Sequence, residues 1–284
     1  MKKLLILGGA KAQVQLIQAA KNEGYFVILC DYTDTNPGIA LCDKHYKINY
    51  MDTNAVLKIA KEEGVNGCIS NSEYAMETVS TICDALHLNG NSSESLEKLN
   101  DKNKFRELQK KLGLFVPKSF ITTSFEEAQK CVQEINFPVI IKPDKSSGSR
   151  GTTVVEFLSD FSKHEQDWNS CCEFSRNNKV VVEEFVQMPS LDSIIDGDIF
   201  VYDGQILNNG LFTSKRSEKR PMIPMTQSYP VMLDDEHLER FKTDLQKIIN
   251  GAGITFGELN VEAYYTVNDE LKLTHGKVEM ESLK

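Results

Sequence analysis

Residues 139–151 read VIIKPDKSSGSRG. Three aliphatic residues run into Lys142, a proline follows, and the chain passes into a loop of Ser, Gly, Lys and Arg. A lysine emerging from an apolar strand is held rigid with its ammonium in a cleft. A loop of small residues lets several backbone N–H groups approach an anion without side chains in the way. Ser146, Ser147 and Ser149 add hydroxyl donors, and Arg150 adds charge. This is chemistry for phosphate oxygens. The competing reading is an exposed hairpin tip carrying a snorkelling lysine.

Other stretches could share that chemistry. Asn100-Asp101-Lys102 opens a helical pattern, NDKNKFRELQKKLGL. KVVVEEFV (179–186) is a strand ending in two acids, and FGELNVEAYY (256–265) is a strand carrying Glu262. Glu258 and Asn260 stand four and two residues before Glu262, so all three share one face of that strand. A hard cation bridging phosphate oxygens takes such carboxylate oxygens. A further candidate is the turn GGAKAQ (8–13), with Asp31 at the end of the next strand. A dinucleotide fingerprint has that layout but needs three glycines, and Ala10 and Gln13 hold the second and third positions. An NAD(P)-dependent oxidoreductase is therefore a remote alternative, behind a substrate or structural role for this turn.

The elements that must position these residues follow from hydrophobic periodicity. LLILG (4–8), YFVILCD (25–31) and GCIS (67–70) read as strands, alternating with helices over 12–22, 55–64 and 74–86. Such alternation implies a parallel sheet with right-handed crossovers. Residues 91–113 turn polar and read as a linker plus a helix, stopped by Gly113. Segment 119–135 gives a strand and a helix, with Ser124 and Glu127 as a capping box. Beyond 139 the pattern is β-rich. Hairpins turn at Asp203-Gly204 and near Asn268-Asp269, and an amphipathic helix covers 234–249. Residues 214–230 hold four cations and three prolines and read as a long mobile loop. There is no internal repeat.

The order of these motifs resembles the ATP-grasp superfamily, specifically its carbamoyl-phosphate-synthase-like and biotin-carboxylase-like members. The resemblance runs from residue 1 to about 273 and includes the phrases SNSEYAMETVSTICDALHL and SSGSRGTTVV. It implies an α/β chain: a Rossmann-like parallel-sheet domain over 1–92, then an α+β ATP-grasp domain over 93–284, divided into 93–180 and 181–284. It also implies roles. Lys102 looks like the cation reaching the α-phosphate, and Lys142 like the one bridging the phosphates. Ser147, Gly148, Ser149, Arg150 and Gly151 look like the flap over the β- and γ-phosphates. Glu183, Glu184, Phe185 and Val186 look like the hinge whose backbone reads the adenine edge. Asp192 looks like the ribose ligand, Lys215 or Arg216 like a contact to phosphate or substrate carboxylate, and Glu262 like the first magnesium ligand. The implied cofactors are ATP and Mg2+, and the implied partners are a small-molecule carboxylate, an amine and a second copy in a homodimer. The implied activity is ATP-dependent carboxylate–amine ligation through an acyl-phosphate.

The pattern breaks near the end. Members of the family follow Glu262 with a second acidic strand of the form Glu-x-Asn-x-Arg, which should begin near 275. This chain reads LKLTHGKVEMESLK (271–284), placing His275, Lys277 and Glu279 there. A truncation or frameshift, a degenerate nucleotide-binding relative, and substitute ligands at Glu279 and Glu281 are the three explanations. The ATP-grasp part is thus expected to be incomplete, and a pseudoenzyme that binds nucleotide without turnover is the main alternative.

Bulk properties set outer bounds. The 284 residues are 40% hydrophobic and 26% charged, ordinary for a globular protein with a real core. A net charge of −9 argues against an electrostatic nucleic-acid binder. No run of 18 apolar residues predicts a membrane span. Seven cysteines without metal spacing, including the vicinal Cys171-Cys172, fit reduced thiols in a cytoplasmic protein.

Overall fold

The computed structural model describes residues 1–144, 151–175, 177–188, 190, 193–217 and 224–280, with only the backbone described at 102, 208, 209, 224 and 274–280. The apolar run Lys3–Leu7 (β1) lies inside a parallel sheet and is buried on both faces. Val14–Asn22 (α1), Phe26–Asp31 (β2), Lys44–Lys47 (β3), Thr53–Glu63 (α2), Gly67–Ile69 (β4) and Met76–Leu86 (α3) complete this unit. The strand order is β3-β2-β1-β4. Leu4 and Ile6 pack with Ile17 of α1, Val27 and Leu29. Leu5 and Leu7 point the other way, to Ile28, Val56, Val79 and Ile82. Burial on both faces is why the strand reads as continuous rather than alternating.

The segment expected to be a linker is helical. Ser93–Asn100 (α4) and Lys102–Lys111 (α5) follow one another directly. Ser92 accepts the Ser95 N–H to cap α4. Asp101 breaks the helix with an extended backbone, then caps α5 by accepting the N–H groups of Asn103 and Lys104. Leu96, Leu99, Phe105 and Leu108 are a buried stripe on otherwise polar helices, which composition alone conceals.

A four-stranded antiparallel sheet comes next. Its parts are Ser119–Thr122 (β5), Phe125–Cys131 (α6), Val139–Pro143 (β6), Thr153–Val155 (β7), Glu165–Phe174 (α7) and Val180–Glu184 (β8), with strand order β5-β8-β6-β7. Its own core joins Val139, Ile141, Val180 and Val182 to Ala128, Phe161 and Trp168. Ser124 caps α6 as expected. The Glu127 carboxylate, however, takes the N–H and hydroxyl of Thr123, one residue before the cap, instead of closing the reciprocal box.

The last unit is a five-stranded antiparallel sheet of order β11-β10-β9-β12-β13. It comprises Ile194–Tyr202 (β9), Gln205–Arg216 (β10), Pro224–Ser228 (β11), Phe256–Tyr265 (β12) and Leu271–Met280 (β13), with Asp235–Ala252 (α8) packed on it. Asp203 and Gly204 both have positive φ, 50° and 74°, as a two-residue hairpin turn requires. The stretch expected to be a mobile loop is largely a hairpin: β10 runs to Arg216, and Thr213 pairs with Ser228 of β11. A polar edge strand shows no apolar alternation, so periodicity missed it. β13 likewise continues to Met280, past the point where the motif fails, because a backbone ladder does not depend on motif side chains. Phe241, Leu245 and Ile248 of α8 join Leu259 and Val261 in the same core as Leu96, Leu99 and the first sheet. This sheet is therefore fused to the N-terminal unit, and the four-stranded sheet stands against it along a seam where β8 meets β12 and β13. Among the described residues no helix is long and apolar enough to cross a membrane. The seven cysteines are all free thiols, Cys171 and Cys172 included.

Candidate functional site

Strand alternation builds the site. Val139 and Ile141 of β6 face the core, so Lys142 projects from the opposite face. β6 and β8 pair antiparallel, Lys142 beside Val181 and Ile140 beside Glu183, which puts Glu183 on the face of Lys142. The Glu183 side chain is 1% exposed. Its Oε1 accepts from Lys142 Nζ at 2.8 Å and from Lys272 Nζ of β13 at 3.5 Å. Its Oε2 accepts from the Arg106 guanidinium of α5. Burial works to raise the Glu183 carboxyl, but Lys142, Arg106 and Lys272 together outweigh it and hold it at about 2. The cations show the reverse. Burial, partly offset by Glu183, keeps Lys142 below its usual range, and burial brings Lys272 to about 8. Among the described residues, three cations against one carboxylate leave the cluster with an excess of positive charge.

The segment expected to be the hinge, Glu183 to Val186, lies beside this cluster. Glu184 N–H donates to Lys118 O and Phe185 N–H to Pro138 O, each at 2.9 Å. The Glu184 carboxylate turns outward to Asn136 and the Lys118 N–H. Val186 O accepts the Tyr264 hydroxyl at 3.0 Å, a bond from β12 across the seam. The Glu183 side chain, expected only to flank a base-reading backbone, is the anion of the cation cluster instead.

A second polar group lies on one face of the five-stranded sheet. Glu262 of β12 is opposite Asp196 of β9, and the buried Arg216 guanidinium of β10 reaches both carboxylates. Asn260 Nδ2 donates to Asp198 Oδ1 at 2.8 Å. Burial, then the Glu262 charge, pushes the Asp196 carboxyl up, and burial followed by Asp198 does the same to Glu258. Of the two cations weighed at 215 and 216, Arg216 comes to Glu262, while Lys215 is exposed on the other face of β10. On β13, His275 stands opposite Glu262 and Lys277 opposite Asn260. Glu262 and Asp196 offer a hard cation two carboxylates, but no set of three His, Cys, Asp or Glu side chains is grouped for a metal among the described residues. Magnesium commonly takes only one or two carboxylates from a protein and completes its shell with phosphate oxygens and water, so Glu262 and Asp196 are candidate ligands, here shared by Arg216.

Other expected residues divide into two groups. Lys102 opens α5, one helical turn before Arg106, and its side chain is not described. Ser147, Gly148, Ser149, Arg150 and Asp192 lie outside the described residues. Gly151 has φ 71°, and a Cβ there would meet the Phe174 ring at 2.8 Å, so close packing on α7 already calls for glycine. At the N-terminal turn, Asp31 is spent internally. Its Oδ2 accepts from Gly9 N at 2.7 Å and Asn36 Nδ2 at 2.8 Å, and its Oδ1 from Thr33 N at 3.0 Å. A ribose-binding acid needs free oxygens, so this geometry speaks against the dinucleotide reading. Arg106, Tyr264 and Lys272 were missed by sequence reasoning. Only Arg106 carried a signal, its four-residue spacing from Lys102 on one helix.

Residues 101–191 match the family described as carbamoyl-phosphate synthase L chain, ATP binding domain. The chain superposes on biotin carboxylase from Campylobacter jejuni with a TM-score of 0.78 at 19% identity, covering 98% of this chain and 65% of that one. The fold is that of the ATP-grasp enzymes, and the sequence match to an ATP-binding domain of that kind covers residues 101–191. An L-amino acid ligase from Bacillus licheniformis gives a TM-score of 0.77 at 14% identity, over 98% of this chain and 67% of the ligase. Among curated relatives, alanine–anticapsin ligase of Bacillus subtilis (strain 168) is 24% identical over 254 residues, 84% of this chain and 53% of the relative. Carbamoyl phosphate synthase large chain of Clostridium acetobutylicum is 27% identical over 201 residues, 66% of this chain and 18% of the relative. The chain thus spans about half the length of the first of these relatives and a smaller share of the second.

Proposed function

We propose that the chain binds ATP at the seam between the two antiparallel sheets and serves ATP-dependent carboxylate–amine ligation. The observation that carries this reading is the excess positive charge at Glu183, where Arg106, Lys142 and Lys272 meet one buried carboxylate. Partly buried cations in excess of their partners call for an anion, and nucleotide phosphates supply several negative charges. Lys102 and the loop 145–151 would add further donors, Asp192 a ribose contact, and the backbone of Glu184 to Val186 a reader of the base edge. The two units are taken as a parallel-sheet domain over 1–92 and an ATP-grasp domain over 93–284.

In the reaction, a carboxylate oxygen attacks the γ-phosphorus of ATP, giving an acyl-phosphate and ADP. An amine then attacks the acyl carbon, the C–N bond forms, phosphate leaves with the C–O electron pair, and the amine proton passes to solvent. The protein's part is positioning and electrostatics. Magnesium is expected to contribute weakly, through Glu262, because His275 and Lys277 stand where further oxygen ligands would be. That same feature favours the second reading, nucleotide binding without turnover. The partners are a small carboxylate, an amine and a second copy of the chain, in a cytoplasmic setting.

Calorimetric titration of ATP, with and without magnesium, tests binding against a Lys142→Ala control. Micromolar affinity lost in the variant is expected. Equal affinity in both proteins refutes the placement. ADP release on adding amino-acid pairs then separates ligase from non-catalytic binder.

A further inference from the structure

The three cations on Glu183 come from both sides of the seam. Lys142 belongs to β6 of the four-stranded sheet, whereas Arg106 belongs to α5, which shares a core with α8 and the five-stranded sheet, and Lys272 to β13, the edge strand of that sheet. Beside it, Tyr264 of β12 also bridges the seam through Val186 O, and the Lys272 ammonium lies 5.7 Å over the Tyr264 ring. The two oxygens of Glu183 are not served alike. Arg106 holds Oε2, and Oε1 has two claimants, Lys142 at 2.8 Å and Lys272 at 3.5 Å. A carboxylate oxygen buried this deeply cannot be left without a donor at small cost.

We propose that Lys272 is a positioning residue for nucleotide binding: it retains Glu183 Oε1 when Lys142 turns to the phosphates, so that Lys142 is released without stranding a buried carboxylate. The inference rests on the ATP reading above and extends it to a residue on the far side of the seam. It makes Glu183 an anchor whose partner changes as the site fills. Lys272 faces Glu183 of β8, Lys142 of β6, Arg106 of α5 and the Tyr264 ring of β12. Of these, only Glu183 favours its charged form strongly, and burial keeps Lys272 at about 8. Moving Lys142 toward an anion, and bringing phosphate charge nearby, both strengthen the hold of Lys272 on its proton.

The test is calorimetric titration of ATP into the full chain at pH 8, in two buffers of different ionisation enthalpy. Wild type is compared with Lys142→Ala, Lys272→Met and Lys272→Arg, each checked for folding by its thermal melt. Wild type is expected to take up a fraction of a proton on binding. Lys272→Met should bind about tenfold more weakly or worse, since a buried acceptor is stranded. Lys272→Arg keeps the charge but does not titrate, so it should bind within about threefold of wild type with the proton uptake gone. Wild-type affinity and wild-type proton uptake in Lys272→Arg overturn the inference, as does undiminished affinity in Lys272→Met. Should Lys272→Met fail to fold, the arginine variant decides alone. Failure of wild type to bind ATP, or equal binding by Lys142→Ala, refutes the ATP reading itself and is thereby distinguished.

Discussion

Replacing Glu183 by glutamine keeps its shape and removes its charge. In the folded protein this carboxyl is held at about 2 instead of 4.5. At 1.36 kcal/mol per unit, its ionised form contributes about 3 kcal/mol to stability at neutral pH. Lys272 sits at about 8 instead of 10.5, so keeping it protonated at neutral pH costs about 3 kcal/mol. The two nearly cancel, which is the usual balance for a buried ion cluster. Glu183→Gln removes the gain and leaves the cost, with Arg106, Lys142 and Lys272 repelling one another until one sheds its proton. The expected loss is about 3–5 kcal/mol, a large share of a typical domain's stability. Urea unfolding at pH 7 measures it as a shift in midpoint at constant slope. The sign with pH follows. A depressed carboxyl stabilises fully above its unfolded value, so the gap between wild type and variant should close as pH falls from about 4.5 to about 2. A gap under about 1 kcal/mol at pH 7, or one that ignores acid, would falsify the charge argument. Adding Lys272→Met to Glu183→Gln should recover part of the loss, because it removes one of the stranded cations.

Two further perturbations probe the frame around the site. His237 of α8 bridges Asp234 at Nδ1 and Asp269 at Nε2, each at 2.7 Å, and so ties the β12–β13 turn to the helix. Its hydrogen bonds to Asp269 and Asp234 raise its pKa above 6.5, so His237→Gln should lower stability, by under about 1 kcal/mol, below that pH, with the difference fading as pH rises through the folded value. An imidazole NMR titration with its midpoint below 6.5 contradicts this. At Gly38, a Cβ would stand 2.5 Å from Ile17 Cδ1 and 2.8 Å from the Gly9 carbonyl oxygen. Gly38→Ala should therefore cost about 1–3 kcal/mol in a denaturant midpoint, and a neutral result would show that the 8–13 turn yields easily.

The parallel sheet was legible because burial on both faces leaves continuous apolar runs such as Leu4 to Leu7, bounded by glycines and amphipathic helices. The hairpins at Asp203-Gly204 and Asp269 were legible from turn chemistry, which is local. Helix α4 and strand β11 were not. Their buried stripe or ladder partners lie on other elements, and their polar composition masks them.

At the site, the sequence alone determined that Lys142 ends a buried strand and that Glu258, Asn260 and Glu262 share a face, because the alternation of a strand is a property of the local backbone. Tertiary structure alone decided that Lys142 meets Glu183, Arg106 and Lys272, since these stand 41, 77 and 89 residues apart in the pairings centred on Glu183. It also decided that Arg216, not Lys215, turns to Glu262. Partners at such separations are set by how sheets and helices pack, and side-chain charge carries no record of which distant strand will bring the opposite sign.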